Sequence, residues 1–387
     1  MTRTLVYGLA RSGVAAAAAL EARGDEVVHV DRDNEDDLGL LDGVDLLVKS
    51  PGVPGERSLV VAARERGIPV WSEVELGWSL LAPRPFVGVT GTNGKTTTSE
   101  LLGAIFRAAG RPVAVAGNVG TPLSSIEAPE DAWIVCELSS FQLEDVHELE
   151  CEVAVLLNLE PDHLDRHETF ERYRDAKLRI FERAQHKIVP RAFGLEGIEF
   201  SADDPLPAEP LMPGRHNREN AAAATAAARG AGIDDAPIAE ALRTFPGVRH
   251  RLELVRERDG VRWVNDSKAT NTAAARRGVA AYDAQLRLVL GGRAKGEDFA
   301  PFARGLPPNV ASIYLVGEAS DELAAALEAA GRSYIRAQTV ARAVELAADE
   351  ARPGDVVLLS PACASYDQYV DFEQRGEDFR RLVTNLP

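Results

Sequence analysis

The stretch Gly88-Val-Thr-Gly-Thr-Asn-Gly-Lys-Thr-Thr-Thr98 constrains the fold more than any other part of the chain. An apolar run, 85–89, leads into it and a helix-like run, 96–109, leads out. Strand, glycine loop and helix in that order set the free N–H groups of a helix start against an anion, with Lys95 adding charge and Thr96 offering a hydroxyl to magnesium. A lysine followed by three threonines at a helix start is costly without that anion. The loop therefore reads as a cradle for a nucleoside triphosphate, ATP, with a plain strand-to-helix turn as the bland alternative. The usual pattern has a glycine where this chain has Val89.

At 387 residues the chain exceeds one ordinary core, and its rhythm divides it. Residues 3–71 alternate apolar runs with helical patterns, the βαβ rhythm of a parallel sheet with helices on its faces. Pro83 and Pro85 break that rhythm. Strand-like runs resume at 113–116, 133–138 and 153–157, while 191–213 reads as irregular and 217–230 as an alanine-rich helix closed by glycine. After a connector at 245–250, Asp259-Gly260 separates two strand-like runs and is the preferred dipeptide of a two-residue hairpin. Runs at 286–290, 313–316 and 356–359 then alternate with helical segments. The expectation is an α/β protein of three domains: a Rossmann-like parallel sheet at 1–83, a P-loop ATPase-like central domain at 84–247 and a Rossmann-like α/β domain at 248–387.

A formal net charge of −17 opposes a nucleic-acid partner, whose phosphates need clustered lysine and arginine. No apolar run approaches the roughly 20 residues that cross a bilayer, and the first residues lead directly into a strand, so a cytoplasmic protein, monomeric, is expected. Cys136, Cys151 and Cys363 are an odd set without metal-like spacing and read as buried small hydrophobes.

Several polar clusters fall at the ends of strand-like runs. Gly8-Leu-Ala-Arg-Ser-Gly13 with Asp31 suits a nucleotide or nucleotide-sugar, or merely a tight turn, and Lys49-Ser-Pro-Gly-Val-Pro-Gly55 follows the third strand. Glu137 is either a magnesium carboxylate or a cap. In Asn158-Leu-Glu-Pro-Asp-His-Leu-Asp-Arg-His167 the two histidines have i,i+4 spacing, which on a helix would show both to one metal; two exposed histidines are the other reading. Lys177 reads as a solvated lysine on an amphipathic helix. Asn217 and Asn220 present amides three apart, for an adenine edge or a cap. The loops 265–271, 291–295 and 360–365 look like one cleft wall.

These motifs, in this order and over essentially the whole chain, resemble the Mur ligases of bacterial cell-wall synthesis, three-domain enzymes that form amides with ATP. Thr90-Gly-Thr-Asn-Gly-Lys-Thr-Thr97 and Gly214-Arg-His-Asn-Arg-Glu-Asn-Ala221 match the family. Glu137-Leu-Ser-Ser-Phe-Gln-Leu-Glu144, Asn265-Asp-Ser-Lys-Ala-Thr-Asn271, Ser360-Pro-Ala-Cys-Ala-Ser-Tyr-Asp-Gln368 and Phe372-Glu-Gln-Arg-Gly376 are similar to its D-glutamate-adding branch.

The resemblance implies roles. Gly91, Thr92, Asn93, Gly94, Lys95, Thr96 and Thr97 would hold ATP phosphates, Asn217 and Asn220 the adenine side, and Arg251 and Asp266 phosphate and ribose. Thr96, Glu137, His163 and Lys177 would serve two magnesium ions, Lys177 as a carbamate; Lys95, His163 and Lys177 would be catalytic. UDP-N-acetylmuramoyl-L-alanine would meet Gly8, Arg11, Ser12, Gly13, Asp31, Ser50, Pro51, Gly52, Asn118 and His163. Lys268, Thr270, Lys295, Ser365, Tyr366 and Phe372 would hold D-glutamate. His167 matches no family role. Rival readings are a ligase like folylpolyglutamate synthase, opposed by the nucleotide-like start of the chain, and an ATP-driven switch that ligates nothing.

Overall fold

The computed structural model describes every residue except Met1, Ala82, Val119, Pro213 and Pro387. The ends of two expected features, the break at Ala82 and the irregular stretch closing at Pro213, thus lie outside the described residues, as does Val119 beside Asn118. Three sheets carry the chain, and each begins from short apolar runs that the sequence shows.

The first sheet holds β1 (Arg3–Tyr7), β2 (Glu26–Val30), β3 (Leu46–Lys49) and β4 (Val70–Ser72), all parallel, in the order β2-β1-β3-β4. Alternation sorts β1 between two faces: Leu5 and Tyr7 pack with Val60 and Ala63, whereas Val6 packs with Ala16, Ala17 and Leu20. The chain reverses direction across the sheet between β1 and β3, which opens a crevice beyond their C-terminal ends.

The second sheet is also wholly parallel. It comprises β5 (Phe86–Thr90), β6 (Val113–Gly117), β7 (Trp133–Glu137), β8 (Cys151–Leu156), β9 (Ala184–Pro190) and β10 (Ile198–Phe200) in the order β10-β9-β8-β5-β7-β6. β5 is central, so the loop at its end lies between the loops that follow β7 and β8. The expectation of irregular chain over 191–213 is corrected in part. Ile198–Phe200 extends the sheet as an edge strand on β9, burying Phe200.

β11 (Glu253–Arg258) and β12 (Val261–Asn265) form the expected hairpin, with Asp259 and Gly260 both at positive φ, 51° and 75°. β13 (Leu286–Gly291), β14 (Val310–Val316), β15 (Ile335–Gln338) and β16 (Val356–Leu359) complete the third sheet in the order β11-β12-β16-β13-β14-β15. The last strand inserts between β12 and β13, in parallel with both.

The chain separates into two compact units. One is Met1–Pro210 with His216–Phe245 and holds the first two sheets; the other is Leu211–Arg215 with Pro246–Pro387 and holds the third. Within the first unit the helix Glu73–Leu81 joins the sheets: the buried Glu73 carboxylate accepts 2.7 Å hydrogen bonds from both the Ser124 amide and its hydroxyl. Among the described residues no helix is long and apolar enough to cross a membrane.

Gly13 belongs to this framework. It is buried in the helix Arg11–Ala22, where a Cβ would stand 1.9 Å from the Gly8 carbonyl oxygen. Alanine for glycine within a helix normally stabilises by about 1 kcal/mol. Here Gly13→Ala should instead destabilise by about 1–3 kcal/mol, the cost of overpacking; a denaturant midpoint equal to or above that of the wild type would contradict the packing.

Candidate functional site

The phosphate-loop motif lies between β5 and the helix Lys95–Ala108. Gly91 and Gly94 have φ of 150° and 85°, and a Cβ on Gly94 would come 2.2 Å from Asn220 Oδ1. Conformation and space both demand glycine there. Val89 demands none: it is a buried strand residue, in register with Glu137 of β7 and Val155 of β8, so the missing glycine falls where the backbone is ordinary sheet.

Asn158 braces the loop from the end of β8. Its carbonyl accepts from the Thr92 amide at 3.1 Å, its Oδ1 from the Asn93 amide at 2.8 Å, and its Nδ2 donates to the Asn93 carbonyl at 3.1 Å. Thr92 Oγ1 lies 2.8 Å from the Tyr173 hydroxyl, and Asn93 Nδ2 donates to Glu160 at 2.8 Å. The side chains of Thr92 and Asn93 thus hold the loop's own shape. Thr97, expected among the nucleotide contacts, is 2 % exposed on the inner side of its helix, so its side chain is part of the packing.

Lys177 corrects the reading of a solvated lysine. It sits on the helix Phe170–Leu178, where Tyr173, Ala176 and Lys177 form the buried face, and its Nζ donates to the Gly91 carbonyl at 2.9 Å. Lys95 Nζ donates to that same carbonyl at 2.9 Å and to Thr92 O at 3.0 Å. Burial, reinforced by the charge of Lys95, pushes the Lys177 amine down to about 6. The face of the Tyr173 ring, 4.8 Å from Nζ, is the other neighbour. Spacing at i, i+3 and i+4 was the available signal, but two of its three members are polar.

Glu137 ends β7 and is buried beside the loop; Asn118 donates to its carboxylate at 3.4 Å through Nδ2 and to its carbonyl at 2.9 Å through the backbone. His163 caps the one-turn helix Leu164–His167 at φ 52°, its ring half exposed and 4.9 Å from Phe141. The two histidines do not share a metal. His167 is buried, with Nε2 2.9 Å from Ser140 Oγ and Nδ1 3.3 Å from Glu144, so both ring nitrogens are engaged inside the protein. Among the described residues no group of three or more His, Cys, Asp or Glu could hold a metal by itself.

The crevice of the first sheet is a cavity of about 800 Å³. It brings together Gly8, Arg11, Ser12, Asp31, Ser50, Pro51 and Gly52 with Asn118 from the second sheet. Of the residues expected there, Gly13 is absent because it packs beneath Gly8, and His163 does not line it. The sequence reading missed Tyr7, Glu35 and Arg57, which also line this cavity; Glu35 accepts from the Tyr7 hydroxyl at 2.5 Å and from Arg57 at 3.2 Å.

In the second unit the insertion of β16 between β12 and β13 draws the three polar loops to one sheet edge. Buried Arg375 binds them together, donating to Ser267 Oγ and O and to the carbonyls of Cys363 and Ala364 at 2.8–3.3 Å, and to the Gly291 carbonyl at 3.5 Å. Sequence reasoning quoted Arg375 only within a motif. Lys295 Nζ donates to Thr270 at 3.3 Å, and Lys268 Nζ lies 5.9 Å from the Phe372 ring centre. Ser365 is buried and Tyr366 exposed. Asp266, expected at the ribose, is buried, accepting from Ser360 Oγ at 2.7 Å and the Leu252 amide at 3.3 Å, and burial pushes its carboxyl up to about 7. Its carboxylate ties β12, β16 and the start of β11.

Comparison with known proteins meets this geometry. Residues 89–192 match the Mur ligase middle domain and residues 250–363 the Mur ligase glutamate ligase domain. The chain is 40 % identical to the UDP-N-acetylmuramoylalanine–D-glutamate ligase of Desulfitobacterium hafniense, over 98 % of this chain and 97 % of that one. It is 41 % identical to the enzyme of that name from Sphingopyxis alaskensis, over 99 % and 97 %. The chain belongs to the Mur ligase family.

Solved structures share the fold of this Mur ligase. The UDP-N-acetylmuramate-alanine ligase MurC of Thermotoga maritima superposes with a TM-score of 0.63 at 18 % identity, covering 99 % of both chains. The MurF ligase of the same organism, solved with ADP, gives 0.60 at 19 % identity over 90 % of this chain and 91 % of that one.

The cradle of this Mur ligase depends on an empty Cβ position at residue 94. Gly94→Ala should push Asn220 away, strain a positive-φ position and weaken ATP binding by about tenfold or more, with circular dichroism unchanged. Calorimetric titration showing wild-type ATP affinity would contradict this account.

Proposed function

We propose that this Mur ligase joins D-glutamate to UDP-N-acetylmuramoyl-L-alanine at the expense of ATP, in the synthesis of peptidoglycan precursors. The observation that carries the reading is Lys177: a buried amine, held near neutrality, on the very carbonyl that the phosphate-loop lysine also grips. An exposed lysine is cationic and repels metal ions; a neutral buried amine can add carbon dioxide and become an anionic oxygen donor. A plain ATP switch has no use for that chemistry.

Residues divide by task. The loop from Gly91 to Thr96 receives the triphosphate, with Lys95 turning from the Gly91 and Thr92 carbonyls to the phosphate oxygens. Thr96, Glu137, His163 and carbamylated Lys177 would hold magnesium, which neutralises phosphate oxygens when bound. A magnesium ion on ATP takes one or two protein carboxylates and completes its shell with phosphates and water, a demand that Glu137 and a Lys177 carbamate would meet. The cavity of the first sheet receives the UDP portion, with Asn118 reaching from its rim toward Glu137. Lys268, Thr270, Lys295 and Phe372 in the second unit serve D-glutamate, Asn217 and Asn220 the adenine side. The functional division follows the three sheets, 1–83, 84–247 and 248–387, and the supply of both nucleotides places the reaction in the cytoplasm.

The γ-phosphoryl group passes to the alanyl carboxylate, releasing ADP and leaving an acyl phosphate. The amine of glutamate then attacks the acyl carbon, and the tetrahedral adduct expels phosphate to leave the amide. Lys95 offsets charge as the carboxylate and phosphate approach. His163, half exposed beside Phe141, positions the acyl centre.

Phosphate release should require both UDP-N-acetylmuramoyl-L-alanine and D-glutamate, and L-glutamate should not replace the D-isomer; release indifferent to either substrate would leave the switch reading in place. Lys177→Ala should abolish ligation, retain most ATP binding and recover part of its rate with added formate. Full activity in that variant would remove the carbamate from the account. The amine also makes a pH signature. Its folded value, about 6, lies below the ordinary 10.5, so between these the unfolded chain binds more protons and stability rises with pH. In carbon-dioxide-free buffer this contributes at most about 1.4 kcal/mol per pH unit, and Lys177→Met should flatten the slope in denaturant titrations.

A further inference from the structure

We propose that Arg166 is a positioning residue that couples the first-sheet cavity to the phosphate loop, carrying the effect of UDP binding to the reacting centre. The inference rests on the ligase reading above.

The guanidinium forks onto two carbonyls of the loop after β3, donating to Pro51 O and Val53 O at 2.8 Å each. That loop is a wall of the cavity: Ser50, Pro51, Gly52 and Val53 all line it. The same guanidinium lies 4.2 Å above the Phe141 ring. Phe141 in turn touches His163, at 4.9 Å between ring centres, and stacks on His167 at 5.2 Å and 7°. His167 meets Tyr173 edge-on at 5.3 Å, and the Tyr173 hydroxyl holds Thr92 in the phosphate loop while its ring faces the Lys177 amine. Arg166 and His163 also share one helical turn, the Arg166 amide donating to the His163 carbonyl at 3.0 Å.

The relay is contiguous; its inner members are buried, while Phe141 is half-buried and the His163 ring half exposed. Tyr173 is 1 % exposed and His167 4 %, and the Arg166 side chain keeps 14 %. A fork onto two carbonyls fixes direction as well as distance, which a lysine ammonium cannot do. If the β3 loop shifts when the cavity fills, Arg166 follows it, and Phe141, in contact with that guanidinium and with the buried His167 ring, shifts with it. The UDP group is remote from the reaction, and binding energy from a remote part of a substrate is useful only when it is spent on orienting the reacting atoms. Lys49 shows what a staple alone looks like. It also donates to Val53 O, at 3.1 Å, but its charge pairs with the carboxylates of Asp145 at 3.0 Å and Glu144 at 3.9 Å, and it makes no fork onto the β3 loop.

A proposed route between sites needs a measured coupling. The affinity of UDP-N-acetylmuramoyl-L-alanine is measured by calorimetry on the full chain, with and without magnesium and a non-hydrolysable ATP analogue. In the wild type the analogue should tighten acceptor binding by about fivefold or more. In Arg166→Met the ratio should fall to within about twofold of one, while each ligand alone binds within about threefold of wild type, kcat drops by about tenfold or more and the KM for ATP holds. Arg166→Lys should recover little of the coupling. Coupling of wild-type size in Arg166→Met, or a wild type whose two affinities are independent, overturns the proposal. Should Arg166→Met fail to fold by thermal melt, Phe141→Leu interrupts the same relay one residue further on, and coupling preserved there overturns it equally. A wild type that neither binds the acceptor nor joins glutamate would instead refute the ligase reading, and the inference with it.

Discussion

The Gly91 carbonyl oxygen is the point on which the site depends. Lys95 reaches it from the helix that follows the loop, and Lys177 from the helix Phe170–Leu178, far along the chain. Two amines on one acceptor cannot both remain ammonium ions at low cost when one of them is buried. The buried one yields its proton, and its depressed pKa is the direct result.

The loop keeps its shape because its neighbours in the sheet hold it. With β5 central, Asn158 after β8 braces one side and Glu137 at the end of β7 stands on the other, and Thr90 Oγ1 donates across to Leu138 O at 2.8 Å. The first sheet is joined to this arrangement by charges that are largely buried: Lys49 on Asp145, and Arg166 on the β3 loop. Breaking one partner of such a buried pair strands the other, which makes the joint stiff. Such a joint would suit the proposed ligase, whose acceptor is proposed to lie across the first and second sheets.

Much of the architecture was legible because it is local. Alternating apolar runs marked most strands, Asp259-Gly260 marked its hairpin, and the glycine loop marked the start of its helix. The short edge strand β10 was not, since three residues with two exposed side chains carry almost no periodic signal. Among candidate site residues, Gly91, Gly94, Lys95 and the set from Gly8 to Gly52 were singled out by motif, and the structure brings the latter to one cavity. The motifs read Gly13, Thr97 and Asp266 as ligand contacts, and their burial in the packing is what a motif alone does not show. The i,i+4 spacing of His163 and His167 leaves a shared metal and two exposed histidines open, and spacing cannot show that Ser140 and Glu144 hold both ring nitrogens of His167.

What the sequence by itself determined was chemistry carried by adjacent residues: a phosphate cradle, its lysine, the hairpin and the family to which these motifs point. Tertiary structure decided which remote segments meet. It set β16 between β12 and β13 and so gathered three loops around Arg375, it turned Lys177 from a surface cation into a buried amine, and it laid Arg166 across the β3 loop. The reason is physical. Local pattern fixes backbone conformation through sterics and hydrogen bonding over a few residues, whereas burial and charge proximity depend on strands brought together from distant parts of the chain, and these alone set the state of a titratable group.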